Sequence, residues 1–140
     1  SNSPIVNEEH VASIRSYGHH FGMAYQLVDD LLDYVGDKAI MGKNTGDDLS
    51  EGKLTLPIIL ALAKTNGKEK DTLLYALKQK SSANMEEIVG IITKSGAIED
   101  TRRAALHEIG QAREHLLNLP ENEYRYALES LTDYSANRIF

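Results

Sequence analysis

Gln26-Leu27-Val28-Asp29-Asp30-Leu31-Leu32-Asp33 sets three carboxylates inside an otherwise apolar run. On a helix, Gln26, Asp29, Asp30 and Asp33 fall at i, i+3, i+4 and i+7, so they form one stripe. Around them stand Met23, Ala24, Tyr25, Leu27, Val28, Leu31, Leu32, Tyr34 and Val35. A helix that apolar is expected to be mostly buried, with its acidic stripe facing a cleft. Neighbouring carboxylates on the stripe lie ~5–6 Å apart. At an effective dielectric of about 20, each close pair repels by roughly 3 kcal/mol. A cation relieves that cost, and hard oxygen ligands in this pattern suit Mg²⁺, completed by waters and substrate phosphates. For an isolated Asp-Asp-x-x-Asp, a solvated or salt-bridged helix face is the plain alternative. The apolar surroundings weigh against it, because unpaired buried carboxylates are costly.

The rest of the chain bounds the reading. Its 140 residues suffice for one domain with a real core, and 41% hydrophobic with 26% charged residues is a soluble, globular composition. A net charge of −6 with no basic stripe speaks against general nucleic-acid binding. No cysteine is present, which removes disulfides, thiol catalysis and thiolate-held metals and agrees with a cytoplasmic setting. The longest apolar run, Leu56 to Ala63, is too short for a transmembrane segment and contains Pro57. Ser1-Asn2-Ser3 has the composition of a cloning remnant and carries no structural weight.

The pattern predicts an all-α helical bundle. Asn7 caps a first helix, with Glu8 and Glu9 in its first turn, running to about Val35 before Gly36. Residues 36–54 hold Gly36, Gly42, Gly46 and Gly52 without periodicity and read as a loop. Thr55 and Pro57 open a second helix that ends at Thr65-Asn66-Gly67. A third covers about Glu69 to Lys80. Asn84 and Glu87 form a capping-box-like start for a fourth, closed by Gly96. A longer helix follows with Ile98, Ala105, Leu106, Ile109, Ala112 and Leu116, broken by Pro120, and Tyr124, Leu128, Leu131 and Tyr134 mark the last.

The loop after the acidic helix reads Gly42-Lys43-Asn44-Thr45-Gly46-Asp47-Asp48-Leu49-Ser50-Glu51-Gly52-Lys53. Glycines let a backbone approach a ligand closely. Lys43 and Lys53 carry compact positive charges suited to phosphate oxygens. A diphosphate held between Mg²⁺ and these lysines is a coherent picture; a surface loop with solvated lysines is the alternative. The loop is not a P-loop: five residues separate Gly36 from Gly42, and Asn44 follows the lysine where Ser or Thr is required. EF-hand spacing is absent. His19 falls on the acidic stripe, but no metal-type His spacing accompanies it, so His19 and His20 read as packing residues and His107 and His115 as surface residues. Gly18 and Gly22 are spaced for close helix approach.

Tyr25-Gln26 through Asp33, then Gly-Lys-x-x-Gly-Asp-Asp-Leu, then Gly52-Lys53-Leu54-Thr55-Leu56-Pro57, resembles the second aspartate-rich region of trans-polyprenyl diphosphate synthases. Ser95-Gly96-Ala97-Ile98-Glu99-Asp100-Thr101-Arg102 and the Leu119-Pro120 break resemble the C-terminal third of long-chain members, especially octaprenyl-forming ones. The resemblance covers essentially the whole chain. It implies the C-terminal part of an isoprenoid-synthase fold, with residues 1–140 as the C-terminal portion of the synthase domain.

The resemblance also implies an activity. An allylic diphosphate ionises with Mg²⁺ assistance, the double bond of isopentenyl diphosphate attacks the carbocation, a proton leaves, and the cycle repeats toward a quinone side chain. Carried over by position, Asp29 ligates Mg²⁺ directly, and Asp30 and Asp33 reach the ion or its waters. Gln26 lines the allylic site, Lys43 and Lys53 hold the allylic diphosphate, and Asp47 orders the loop. Asp29 and Lys43 are then the catalytic pair. The full-length protein is implied to be a homodimer.

One feature departs from the family. Its members carry two aspartate-rich regions, and these 140 residues contain only the second. The expectation is therefore a portion of a longer synthase that does not turn over substrate alone. A non-catalytic helical partner subunit, a terpene cyclase or other prenyl transferase, and a simple metal-binding bundle are the rival readings. The Gly-Lys loop weighs against the cyclase.

Overall fold

The computed structural model describes residues 7–35 and 45–139. Every regular element among them is an α-helix, as the pattern predicts. In chain order these are α1 (Glu8–Val35), α2 (Asp47–Ser50), α3 (Leu56–Lys64), α4 (Gly67–Gln79), α5 (Met85–Lys94), α6 (Ala97–Leu116) and α7 (Glu123–Ile139). Among the described residues no helix is long and apolar enough to cross a membrane. The chain forms two compact units. One comprises the described residues of Gln26–Arg103; the other comprises those up to Tyr25 with those from Ala104 on. α1 and α6 contribute to both.

The first unit holds the acidic stripe. Its core joins Leu31 and Tyr34 of α1 to Leu49 of α2, Ile58 and Ala61 of α3, Leu73 and Ala76 of α4, Ile88, Ile91 and Ile92 of α5, and Ala97 and Ile98 of α6. α3 packs on α4 and α5, and α4 also packs on α2 and α5. Pro57 stands in the first turn of α3, where its missing N–H costs nothing. Two details differ from the sequence expectation. Gly67 does not close α3 but opens α4 at φ +59°, a left-handed conformation for which glycine carries no Cβ penalty. Asn84 occupies the cap position of α5 without a side-chain bond, so the capping box does not form. The neighbouring turn is held instead by the Ala83 N–H donating to Ser81 Oγ.

The second unit is built around Tyr17. Its ring packs with Ala112, Leu116, Phe21, Leu119 and Leu128, and its hydroxyl meets Thr132 Oγ1 at 2.8 Å. Asn7 Oδ1 accepts the N–H groups of Glu9 and His10, which caps α1 as expected. Asn122 Oδ1 does the same for α7 through Tyr124 and Arg125. His20 Nδ1 lies 2.6 Å from Glu108 Oε2, and its ring stacks on His115. His115 is therefore half-buried packing, whereas His107 is exposed. A Cβ at Gly18 or Gly22 would meet nothing within 4 Å, so no described element makes the close approach that their spacing suggests.

Ile92 is fully buried in the first unit, so Ile92→Ala should destabilise by about 2–5 kcal/mol through lost transfer energy and a residual cavity. Leu74, 45% exposed on α4, should tolerate Leu74→Ala to within about 1 kcal/mol. Urea denaturation of the two variants checks this contrast.

Candidate functional site

The aspartate stripe does not behave as one face. Gln26 and Asp29 are exposed, Asp30 is 7% exposed, and Asp33 is fully buried. Meanwhile Met23, Tyr25 and Val35, expected inside, are exposed. The reason is local. α1 turns Ala24, Leu31 and Tyr34 into the core, and the turn preceding α2 lies against the C-terminal end of the stripe. That turn covers Asp33 and leaves Asp29 at the open end.

Three backbone bonds and one side-chain bond fix this arrangement. The Gly46 N–H donates to the Asp33 carbonyl at 2.9 Å. The Asp48 N–H donates to Asp33 Oδ1 at 3.0 Å. The Ser50 N–H donates to the Gly46 carbonyl, and the Lys53 N–H to the Asp48 carbonyl, each at 2.9 Å. Asp48 is one of the first amides of α2, which have no partner inside that helix, so a carboxylate from α1 takes the place of a cap. Gly46 makes the turn possible. Its φ is +96°, and a Cβ there would sit 2.8 Å from Ser82 Cβ and 3.1 Å from Met85 Sδ. A short helix within residues expected as loop is the main correction to the sequence reading. A single turn has no period to detect.

The charges gathered here are mostly of one sign. Burial holds the Asp30 carboxyl above the usual carboxylate range. The neighbouring charges of Asp48 and Asp29 push the same way, while the Gln26 side chain, donating at 2.9 Å, and Lys53 pull it back. Burial, and next the charge of Asp33, drive the Tyr34 hydroxyl far above its ordinary value, so it stays neutral. The neighbouring Thr55 hydroxyl opposes this shift.

The residues expected from sequence thus divide. Gln26, Asp29, Asp30, Asp33 and the backbone of Lys53 fall within one compact unit with α2. Asp47 is exposed in the first turn of α2, and the Lys53 side chain is exposed. Lys43 lies outside the described residues, as does Gly42. The residue missed was Asp48. It is buried, close enough to Asp30 to raise its pKa, and bonded through its N–H to Asp33. Only its neighbour Leu49, the one apolar residue between Gly42 and Lys53, hinted that this part of the loop turns inward.

The donor set fits a hard divalent cation. Asp29 offers an exposed carboxylate at the open end of the stripe, and Asp30, buried but for 7% of its surface, stands next to it in surroundings that disfavour its charge. Among the described residues no three His, Cys, Asp or Glu side chains converge to form a cage by themselves. One or two carboxylates completed by waters and phosphate oxygens is the Mg²⁺ pattern.

The all-helical fold that carries this Asp-Asp-x-x-Asp helix end, tied to the turn at Gly46, is shared with the polyprenyl synthases among solved structures. Residues 3–93 match the polyprenyl synthetase family, and the chain belongs to it. It is 39% identical over 131 residues to the all-trans-nonaprenyl-diphosphate synthase (geranyl-diphosphate specific) of Rhodobacter capsulatus, covering 94% of this chain and 40% of that protein. It is 36% identical to the octaprenyl diphosphate synthase of Haemophilus influenzae, covering 90% and 39%. Among solved structures, the polyprenyl synthase of Caulobacter crescentus complexed with calcium and isoprenyl diphosphate superposes with a TM-score of 0.86 at 36% identity, covering 96% of this chain and 42% of that one. The geranylgeranyl pyrophosphate synthase of Corynebacterium glutamicum, complexed with isoprenyl diphosphate and magnesium, does so at 0.84 and 29%, covering 94% and 38%. The chain spans about two fifths of the length of the curated relatives it matches.

The raised Asp30 has a consequence for stability. The folded state holds a proton there more tightly than the unfolded chain, so this carboxylate's contribution to stability falls as pH rises from the unfolded pKa through the folded one. Asp30→Asn, whose side-chain oxygen still accepts from Gln26, should raise Tm by a few degrees at pH 7. The gain should shrink as pH falls below the carboxylate range. Calorimetric melts of both proteins at pH 7 and pH 4 check this.

Proposed function

We propose that the chain is the C-terminal portion of a trans-polyprenyl diphosphate synthase and forms the metal–diphosphate side of its allylic site. The observation that carries the reading is the crowding of Asp29, Asp30 and Asp48 beside Lys53, in surroundings that raise the Asp30 pKa. Such a cluster is relieved by a cation that brings its own phosphate. The relatives complexed with isoprenyl diphosphate and calcium or magnesium support it.

In this reading Asp29 and Asp30 hold Mg²⁺, which when bound neutralises charge developing on the departing diphosphate. Lys53 presents a point charge to the diphosphate oxygens, with Lys43 as its counterpart. Gln26, fixed by its bond to Asp30, lines the allylic site one turn before Asp29. Asp47 stays at the start of α2 and helps order the turn. These groups are in place before reaction, so they stabilise the leaving group without reorganising. The allylic carbon, freed of diphosphate, is attacked by the double bond of isopentenyl diphosphate, and loss of a proton restores the alkene.

The product proposed is long-chain, of the octaprenyl or nonaprenyl kind named for the relatives, and its proposed destination is a quinone side chain. A homodimer in the cytoplasm completes the reading. The 140 residues contain one Asp-Asp-x-x-Asp, and by themselves should bind diphosphate without elongating a chain. Detecting isoprenoid elongation by the purified chain would overturn that.

Titration calorimetry with inorganic pyrophosphate and Mg²⁺ tests the site. Asp29→Ala, Lys43→Ala and Lys53→Ala should each weaken binding by about tenfold or more, the scale of a lost charge-assisted contact. Affinity left unchanged by both lysine variants would make the loop structural. Affinity untouched by all three would leave the helical-partner reading in possession.

A further inference from the structure

We propose that Asp33 acts as a positioning residue and not as a ligand of the ion: it sets the Gly46–Leu49 turn and Lys53 against Asp29 and Asp30. The inference rests on the diphosphate reading above and deepens it.

Two observations carry it. Asp33 is fully buried, with one carboxylate oxygen accepting a backbone N–H. Mg²⁺ dehydrates reluctantly and keeps several waters. A carboxylate with no surface open to solvent offers no face to an ion arriving with waters and phosphate. Asp29, one turn earlier and exposed, does.

The second observation is where the bonds of Asp33 lead. Its carbonyl takes the Gly46 N–H and its Oδ1 takes the Asp48 N–H, so one residue grips the turn at two points. The Asp48 carbonyl then takes the Lys53 N–H at 2.9 Å. A single intervening residue therefore connects the Asp33 side chain to the backbone of the diphosphate lysine. From the other side the turn is stopped by Ser82 and Met85, which occupy the space a Cβ on Gly46 would need. The turn is pulled by Asp33 and blocked by these residues, which fixes the distance from Lys53 to the open end of the stripe.

An acceptor at that position is what the tether requires, and a negative charge is not. The test compares Asp33→Asn, Asp33→Ala and Asp29→Asn by Mg²⁺-dependent affinity for inorganic pyrophosphate, together with amide exchange of Asp48 and Lys53 by NMR. In the wild-type chain the Asp48 amide should exchange slowly. Asp33→Ala should lose that protection and about tenfold or more in affinity. Asp33→Asn, whose Oδ1 accepts the same bond, should recover most of both. Asp29→Asn should keep the protection and lose the affinity. Adding Lys53→Ala to Asp33→Ala should cost less than it does in the wild-type chain, because the lysine is already displaced.

The proposal is overturned if Asp33→Asn binds as weakly as Asp33→Ala while its Asp48 amide stays protected, because the charge is then what matters. It is overturned equally if the wild-type Asp48 amide exchanges freely. Should Asp33→Ala fail to fold, the comparison of Asp33→Asn with Asp29→Asn decides alone. If the wild-type chain does not bind pyrophosphate with Mg²⁺, the diphosphate reading is lost. The tether is then judged on the Asp48 amide in the two Asp33 variants.

Discussion

A carboxylate withdrawn from water must be given donors, and Asp33 is given the backbone of a turn fifteen residues further on. Much of the first unit follows from that bond. Holding the Asp48 N–H brings Leu49 down beside Leu31 and Tyr34, where it joins the core with α3, α4 and α5. It orders Lys53 through the Asp48 carbonyl, two residues before the cap of α3. Breaking one partner of such a bond leaves a buried group without its donor, which costs more than the bond contributes when formed. The end of α1 and the start of α2 are therefore expected to keep their arrangement together.

The same packing explains why the site is built at a cost. Asp29, Asp30, Asp33 and Asp48 share a small region in which, among the described residues, Lys53 is the cation acting on Asp30. Burial raises the Asp30 pKa, and the neutral Tyr34 hydroxyl beside Asp33 offers no positive charge. A chain selected for stability alone would replace one of these carboxylates with an amide. Keeping them is understandable where a bound cation turns mutual repulsion into shared attraction. In the proposed function, stability given up in the free protein would return as affinity for metal and diphosphate.

Much of the fold was legible because it depends on local chemistry. Asn7, Thr55, Pro57, Gly96 and Pro120 mark helix boundaries through caps, fixed φ and left-handed turns, and the helices end within a few residues of those marks. What was not legible depends on contacts between distant residues. Asp30 and Asp33 look alike to Asp29 in sequence, yet the first two are buried and Asp29 is exposed, and the turn at Gly46 is bonded to Asp33. Asp47 and Asp48 are equally ambiguous, since either could face inward until the position of α2 is known. Asn84 shows the opposite failure: a sound cap sequence whose side chain makes no cap bond, its backbone at φ −110° and ψ 39° lying outside the extended region that aims a cap at the first turn.

The proposed division of labour within the stripe also bears on product length. A relative named for a nonaprenyl product, one named for an octaprenyl product and a geranylgeranyl pyrophosphate synthase all match this stretch, the last with a TM-score of 0.84. A backbone shared by enzymes named for products so different in length is not what distinguishes them. What those names have in common is a diphosphate on an isoprenoid chain. In the function proposed above, that is also the group which Asp29, Asp30 and Lys53 would grip, whatever hydrocarbon extends beyond it.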